Sequence, residues 1–195
     1  MITTVILDMD DTLYDEVDYC RSGFRAVSRF MGEKYDAQPD EVFDALWGEF
    51  TSGNHTRTFN AALDRVGVDY KTEDIKYLVD FYRKHKPDIK LPAESKVFIE
   101  KLAGKYRLAL LTDGFLPAQR YKVEALGIAK YFECIVYTEE LGREFWKPHT
   151  RGFEKILEKL DVKAENTVYI ADNAKKDFIG PNKLGMKTIQ LKRPN

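Results

Sequence analysis

The chain has 195 residues, 44% of them hydrophobic and 32% charged, enough apolar material for one ordinary domain or a core with a small insert and too much for disorder. Its 31 basic and 32 acidic residues leave a formal charge of −1, so no whole-protein field points to nucleic acid or an anionic membrane as a partner. The sequence shows no bilayer-length apolar stretch and no basic start followed by an apolar region, which predicts a cytoplasmic protein without a signal peptide or a membrane partner.

From Val5 to Leu13 the sequence reads Val-Ile-Leu-Asp-Met-Asp-Asp-Thr-Leu. A short apolar run of this kind predicts a buried first strand. It runs into Asp8, with Asp10 and Asp11 close behind, and such a cluster of carboxylates needs compensation. A divalent cation is the usual compensation, and Mg²⁺ favours one or two carboxylates together with phosphate oxygens.

Residues 18–87 then show helical spacing only. Phe24, Val27, Ser28 and Met31 share one face, and Val42, Phe43, Leu46 and Phe50 share another. Leu63 with Val66, and Ile75 with Leu78, Val79 and Tyr82, continue the pattern, which predicts an all-helical insert. Cys20 and Cys134 are isolated and His55, His85 and His149 scattered, which favours free buried thiols and gives no zinc-ligand spacing.

From Leu91 onward helices and apolar runs alternate. Helices are expected near 95–103, 118–126 and 150–160, with a last one ending at Gly185. Strands are expected at Leu108–Leu111, Cys134–Tyr137, Val168–Ala171 and Thr188–Leu191. Gly104, Gly127 and Gly185 each sit where a helix would close on a left-handed residue. The alternation predicts a doubly wound parallel sheet in an α/β core formed by residues 1–17 and 88–195.

Parallel sheets take ligands at the carboxyl ends of their strands. Those ends carry Asp8 to Thr12 on the first strand, Thr112-Asp113-Gly114 on the second and Asp172-Asn173 on the fourth, with Asp177 five residues beyond Asp172 and Lys147-Pro148 before a crossover helix. Each cluster alone reads as a turn or a helix cap; all four in this order point to one site. Asp8, first off the strand, is the candidate nucleophile toward phosphorus. Two-residue periodicity puts Asp10 on the same face, where it can protonate the leaving oxygen and later activate water. The Thr112 hydroxyl and the backbone N–H groups around Asp113 and Gly114 can hold phosphoryl oxygens, Lys147 can neutralise them, and Asp172 can complete a metal shell with Asp177 orienting a ligand or acting through water.

Together the clusters resemble the haloacid dehalogenase superfamily, whose pattern runs Asp-x-Asp-x-Thr, Thr or Ser, Lys, and Gly-Asp-x-x-x-x-Asp. The resemblance spans nearly the whole chain, and the insert looks like that family's C1 cap. It implies a Rossmann-like core, a phosphatase that forms an aspartyl-phosphate on Asp8, and Mg²⁺ held by the Asp8 carboxylate, the Asp10 carbonyl and Asp172. Ala171 stands where the family often has Gly, a small departure. An Asp at position 10 favours phosphate esters, because the family's dehalogenases and phosphonatases lack it.

The expected partner is a small-molecule phosphate ester such as a sugar phosphate or nucleotide. Tyr19 and Arg25, close after the first motif and placed to line a cap–core cleft, and Asn54 and Arg57, in a polar loop, are the candidates for substrate specificity, with an exposed loop arginine as the plainer reading of Arg57. A phosphosugar mutase of the β-phosphoglucomutase type and a non-catalytic binding protein remain alternatives. A receiver domain fits less well, because receivers are shorter and carry the phosphorylated Asp after the third strand.

Overall fold

Four largely apolar runs and a more polar edge segment become five parallel strands: β1 (Thr4–Leu7), β2 (Arg107–Thr112), β3 (Cys134–Tyr137), β4 (Thr167–Ala171) and β5 (Lys187–Gln190), in the order β3-β2-β1-β4-β5. The computed structural model describes residues 1–53 and 55–192. Between them run helices α1 (Glu16–Tyr35), α2 (Pro39–Thr51), α3 (Thr58–Val66), α4 (Thr72–Lys84), α5 (Ala93–Ala103), α6 (Ala118–Leu126), α7 (Arg151–Leu160) and α8 (Ile179–Lys183). This is the doubly wound α/β architecture expected.

The strand order reverses between β1 and β4, the place where such sheets hold their ligands. Leu7 pairs with Leu110 on one side and Ile170 on the other. Asp8, Thr112 and Asp172 therefore leave the sheet from one edge, within two residues of a common register.

Alternation along the strands sends Ile6, Ala109, Leu111, Val136, Tyr169 and Ala171 to one face, where they pack on Phe153, Ile156 and Leu160 of α7. Those three residues form one stripe of a 3.6-residue repeat. Phe153 is fully buried, with its ring centroid 4.9 Å from that of Tyr169 at an interplanar angle of 81°. Phe153→Ala is expected to destabilise the fold by about 3–5 kcal/mol, measured by chemical denaturation; a loss below about 1 kcal/mol would contradict this packing. At the sheet edge β5 is largely exposed, Ile189 at 51%.

Of the three glycines expected to close helices in the left-handed region, two do so and one does not. Gly127 and Gly185 adopt positive φ of 63° and 80°. Gly104 does not, its φ being −72°. At the end of α7 the left-handed position falls to Asp161, φ 50°, which a short polar side chain tolerates.

The chain divides into two compact units, Met1–Glu16 with Lys90–Asn195, and Val17–Ile89. The second is helical, and Phe24, Val27, Met31, Val42, Leu46, Leu63 and Leu78 form its core. A Cβ on Gly23 would fall 2.3 Å from the Tyr82 ring, so only glycine lets that ring lie against α1. His85 is buried and structural, its Nδ1 2.5 Å from Tyr82 O and its Nε2 3.2 Å from Ser22 Oγ. Cys134 is buried and Cys20 only half-buried, both as free thiols.

Candidate active site

Asp8 occupies the first position past β1, where its backbone N–H still donates to Ile170 O at 3.0 Å. The sheet therefore fixes its backbone, and its side chain is buried. Lys147 Nζ donates to Asp8 Oδ1 at 2.5 Å and to the Tyr169 hydroxyl at 3.0 Å, and forms an ion pair with Asp177 Oδ1 at 2.9 Å. The lysine arrives from a loop, yet its position is set by the core. Its backbone N–H donates to Asp113 Oδ2 at 3.1 Å, while Thr138 Oγ1 donates to Asp113 Oδ1 at 2.8 Å. The Asp113 carboxylate thus ties β2 to the lysine loop.

Asp8, Asp172 and Asp177 each offer an oxygen within 4.8 Å of the others. That limit accommodates the roughly 3–4 Å between ligand oxygens of a Mg²⁺ octahedron. Three carboxylates against the single Lys147 ammonium leave two formal negative charges, which a divalent cation would balance. Thr12 Oγ1 lies 3.4 Å from both Asp8 Oδ2 and Asp172 Oδ1, one proton serving two acceptors. Both oxygens of Asp177 are already engaged, Oδ1 by Lys147 and Oδ2 by the Asn173 N–H at 3.0 Å; this fits a carboxylate that supports the cluster rather than leads it. The donor set fits Mg²⁺.

The electrostatics follow from the same crowding. Burial raises the Asp8 carboxyl, Lys147 pulls it back, and Asp177 and Asp10 push it up again, to about 7. Burial works against the Lys147 ammonium, but Asp8, Tyr169, Asp177 and Asp113 more than offset it and hold it well above the ordinary lysine value. Burial, then Asp177, raises Asp172 as well.

Asp10 sits apart from that acidic group. β1 ends at Leu7, so two-residue alternation does not govern Asp10. Its direction is set by a turn in which Leu13 N–H donates to Met9 O at 2.8 Å and Asp11 takes a φ of 53°. The carboxylate receives Tyr14 Oη at 2.6 Å and Lys122 Nζ at 2.8 Å on Oδ1, and Gln119 Nε2 at 2.8 Å on Oδ2. Lys122, 2% exposed, also pairs with Glu16 Oε1 at 3.0 Å. Burial lowers the Lys122 ammonium but Asp10 and Glu16 together raise it well above the usual lysine value. Asp11 caps the start of α1, accepting from Glu16 N–H at 2.8 Å.

Against this geometry, the family model for haloacid dehalogenase-like hydrolases matches residues 5–191. The chain belongs to that family. It is 31% identical to a glyceraldehyde 3-phosphate phosphatase of Methanopyrus kandleri, with 99% of this chain and 85% of the relative covered. It is 27% identical to a ribulose-1,5-bisphosphate 5-phosphatase of Halopiger xanaduensis, covering 97% and 84%. Among solved structures, the HAD-hydrolase YfnB of Bacillus subtilis, determined bound to magnesium, shares the fold at a TM-score of 0.66 and 22% identity, covering 100% of this chain and 90% of that one.

In this haloacid dehalogenase-like hydrolase the core clusters expected from sequence converge, while the specificity candidates scatter over the helical unit. Tyr19 is buried, its ring 5.6 Å from Tyr82 and 4.8 Å from His85, which makes it part of that unit's interior. Arg25 is exposed, with its guanidinium 5.6 Å from the Phe43 ring. Arg57 is exposed just before α3. Asn54 lies outside the described residues.

Gln119, Lys122, Tyr14 and Tyr169 are site neighbours that motif reading missed. The signal for two of them was present: Gln119 and Lys122 interrupt the buried face of α6 formed with Ala118, Val123 and Leu126. A glutamine and a lysine on an apolar stripe need buried partners. Tyr169 stayed hidden because an apolar run reads the same with or without a hydroxyl aimed at a lysine.

Proposed function

We propose that the chain hydrolyses phosphate monoesters through a covalent phosphoryl group on Asp8. Its class follows from its family and full-length relatives: it is a haloacid dehalogenase-like phosphatase of small phosphorylated metabolites. The observation that carries the mechanism is a single buried carboxylate at the end of β1, bonded by Lys147 at 2.5 Å and grouped with Asp172 and Asp177.

Asp8 attacks phosphorus and the ester oxygen departs. Asp10 supplies the proton to that oxygen, then accepts one from the water that opens the aspartyl-phosphate and frees phosphate. Charge in the transfer step is spread over the three equatorial oxygens, so catalysis is mostly positioning and neutralisation by fixed donors. Those donors are Lys147 Nζ, the Thr112 hydroxyl and the N–H groups around Asp113 and Gly114. Mg²⁺, held by the Asp8 carboxylate, the Asp10 carbonyl and Asp172 with Asp177 behind them, would offset charge shared by the phosphoryl group and Asp8.

Among small esters, sugar phosphates are the substrates we favour, in line with the carbohydrate phosphates in the names of both relatives. A panel of phosphorylated metabolites, assayed for free phosphate with Mg²⁺ and with EDTA, tests this. Release on sugar phosphates that EDTA cuts by on the order of 10²-fold or more is expected. No Mg²⁺-dependent release on any ester would overturn the assignment, and isomerised sugar phosphate without net phosphate would replace it with a mutase.

A further inference from the structure

We infer that Gln119 and Lys122 on α6 are positioning residues that aim the Asp10 carboxylate at the leaving oxygen. The inference rests on reading Asp10 as the acid/base group and adds the machinery that sets its aim.

Three observations support it. Gln119 Nε2 lies 2.8 Å from Asp10 Oδ2, 2.6 Å from Thr112 Oγ1 and 2.7 Å from Asp113 O. One amide therefore references the proton-transfer group and the phosphate-holding hydroxyl to the same point. Its two protons serve three acceptors, so Asp10 cannot shift without disturbing Thr112. Second, the backbone makes room for this side chain. Gly114 has φ +135°, and a Cβ there would lie 2.8 Å from Gln119 Cδ. Third, Lys122 is one helical turn along the same buried face of α6 and donates to the other oxygen, Asp10 Oδ1, at 2.8 Å. Two donors from one rigid helix, one on each oxygen, fix both the place and the plane of the carboxylate. Tyr14 Oη at 2.6 Å adds a third contact from the motif loop itself.

A purely structural network, when weakened, would slow phosphoryl transfer from an aryl ester and from an alkyl ester equally. A positioning network would not, because expelling a basic alkoxide needs a well-placed proton donor and expelling an acidic phenol needs little help. The readout is kcat/KM, which covers steps up to departure of the alcohol, compared between p-nitrophenyl phosphate and a simple alkyl phosphate.

Gln119→Leu and Lys122→Met should each lower kcat/KM at least tenfold more on the alkyl ester than on the aryl ester. Gln119→Leu removes no charge, so it keeps the test open if Lys122→Met fails to fold. Asp10→Asn, run alongside, should show the same preference more strongly. Equal losses on both esters in Gln119→Leu, with the preference present in Asp10→Asn, would overturn the positioning role and leave the acid/base reading intact. No preference in Asp10→Asn itself would overturn both, and that variant alone identifies the failure as one of the acid/base reading.

Discussion

Asp8→Asn is expected to remove turnover, by on the order of 10³-fold or more, while leaving a folded protein. The substitution keeps the shape of the side chain and an oxygen able to accept from Lys147, but an amide oxygen is a poor nucleophile toward phosphorus. Lys147 retains Asp177 at 2.9 Å and the Tyr169 hydroxyl at 3.0 Å, so its ammonium is not abandoned in the interior. The measurement is paired: phosphate release on the best ester, and the mass of the intact chain after acid quench during turnover. Wild type should carry one phosphoryl group on the peptide containing Asp8, and the variant none. Activity within a few fold of wild type, or phosphorylation at another residue, would remove Asp8 from its role. Asp177 sits in the same cluster with an oxygen on the same lysine and is the obvious competitor. Its Oδ2, however, accepts from the Asn173 N–H at 3.0 Å, and it lies well beyond the end of β4, whereas Asp8 follows β1 directly.

How much of this was legible in the sequence depends on how local the signal is. β1 could be read because three apolar residues, Val5 to Leu7, running straight into Asp8 make one dense local pattern. The Thr112, Lys147 and Asp172 clusters could be read because a parallel sheet gathers its strand ends at one edge, so order along the chain becomes proximity. Two things were not legible. The aim of Asp10 was misread as strand alternation, because the sequence does not say that β1 stops at Leu7 and that a turn with a left-handed Asp11 takes over. The partners of Asp10 were invisible, because Gln119 and Lys122 lie more than a hundred residues away and meet it only when α6 packs beside the motif loop. The helical unit was legible as a set of amphipathic faces. Its specificity candidates were not, since Tyr19 turned out to be a packing residue among Tyr82 and His85.

In the absence of metal, the wild-type protein should lose stability as pH rises from about 4 to 8, and Asp8→Asn should lose less. The folded-state carboxyl of Asp8 stands at about 7 against an ordinary value of 3.8, chiefly through burial. Below pH 3.8 the group is protonated in both states and contributes no penalty. Between 3.8 and about 7 the folded chain holds a proton that the unfolded chain has released, so stability falls with pH. Above 7 the folded group is ionised as well and the loss levels off. At about 1.4 kcal/mol per pH unit, the full interval corresponds to on the order of 4 kcal/mol as an upper bound, and Asp172, raised in the same direction, adds to it. The stability difference between Asp8→Asn and wild type should therefore grow in the variant's favour across this window when both are unfolded by denaturant in EDTA. Saturating Mg²⁺ should reverse the trend for wild type, since a divalent cation replaces the proton as the counter-charge and binds only the folded cluster. It should do little for the variant, which has lost one of the three carboxylates. A wild-type curve in EDTA that runs parallel to that of Asp8→Asn from pH 4 to 8 would mean that Asp8 is not held in the crowded, carboxylate-rich pocket on which the proposed chemistry depends.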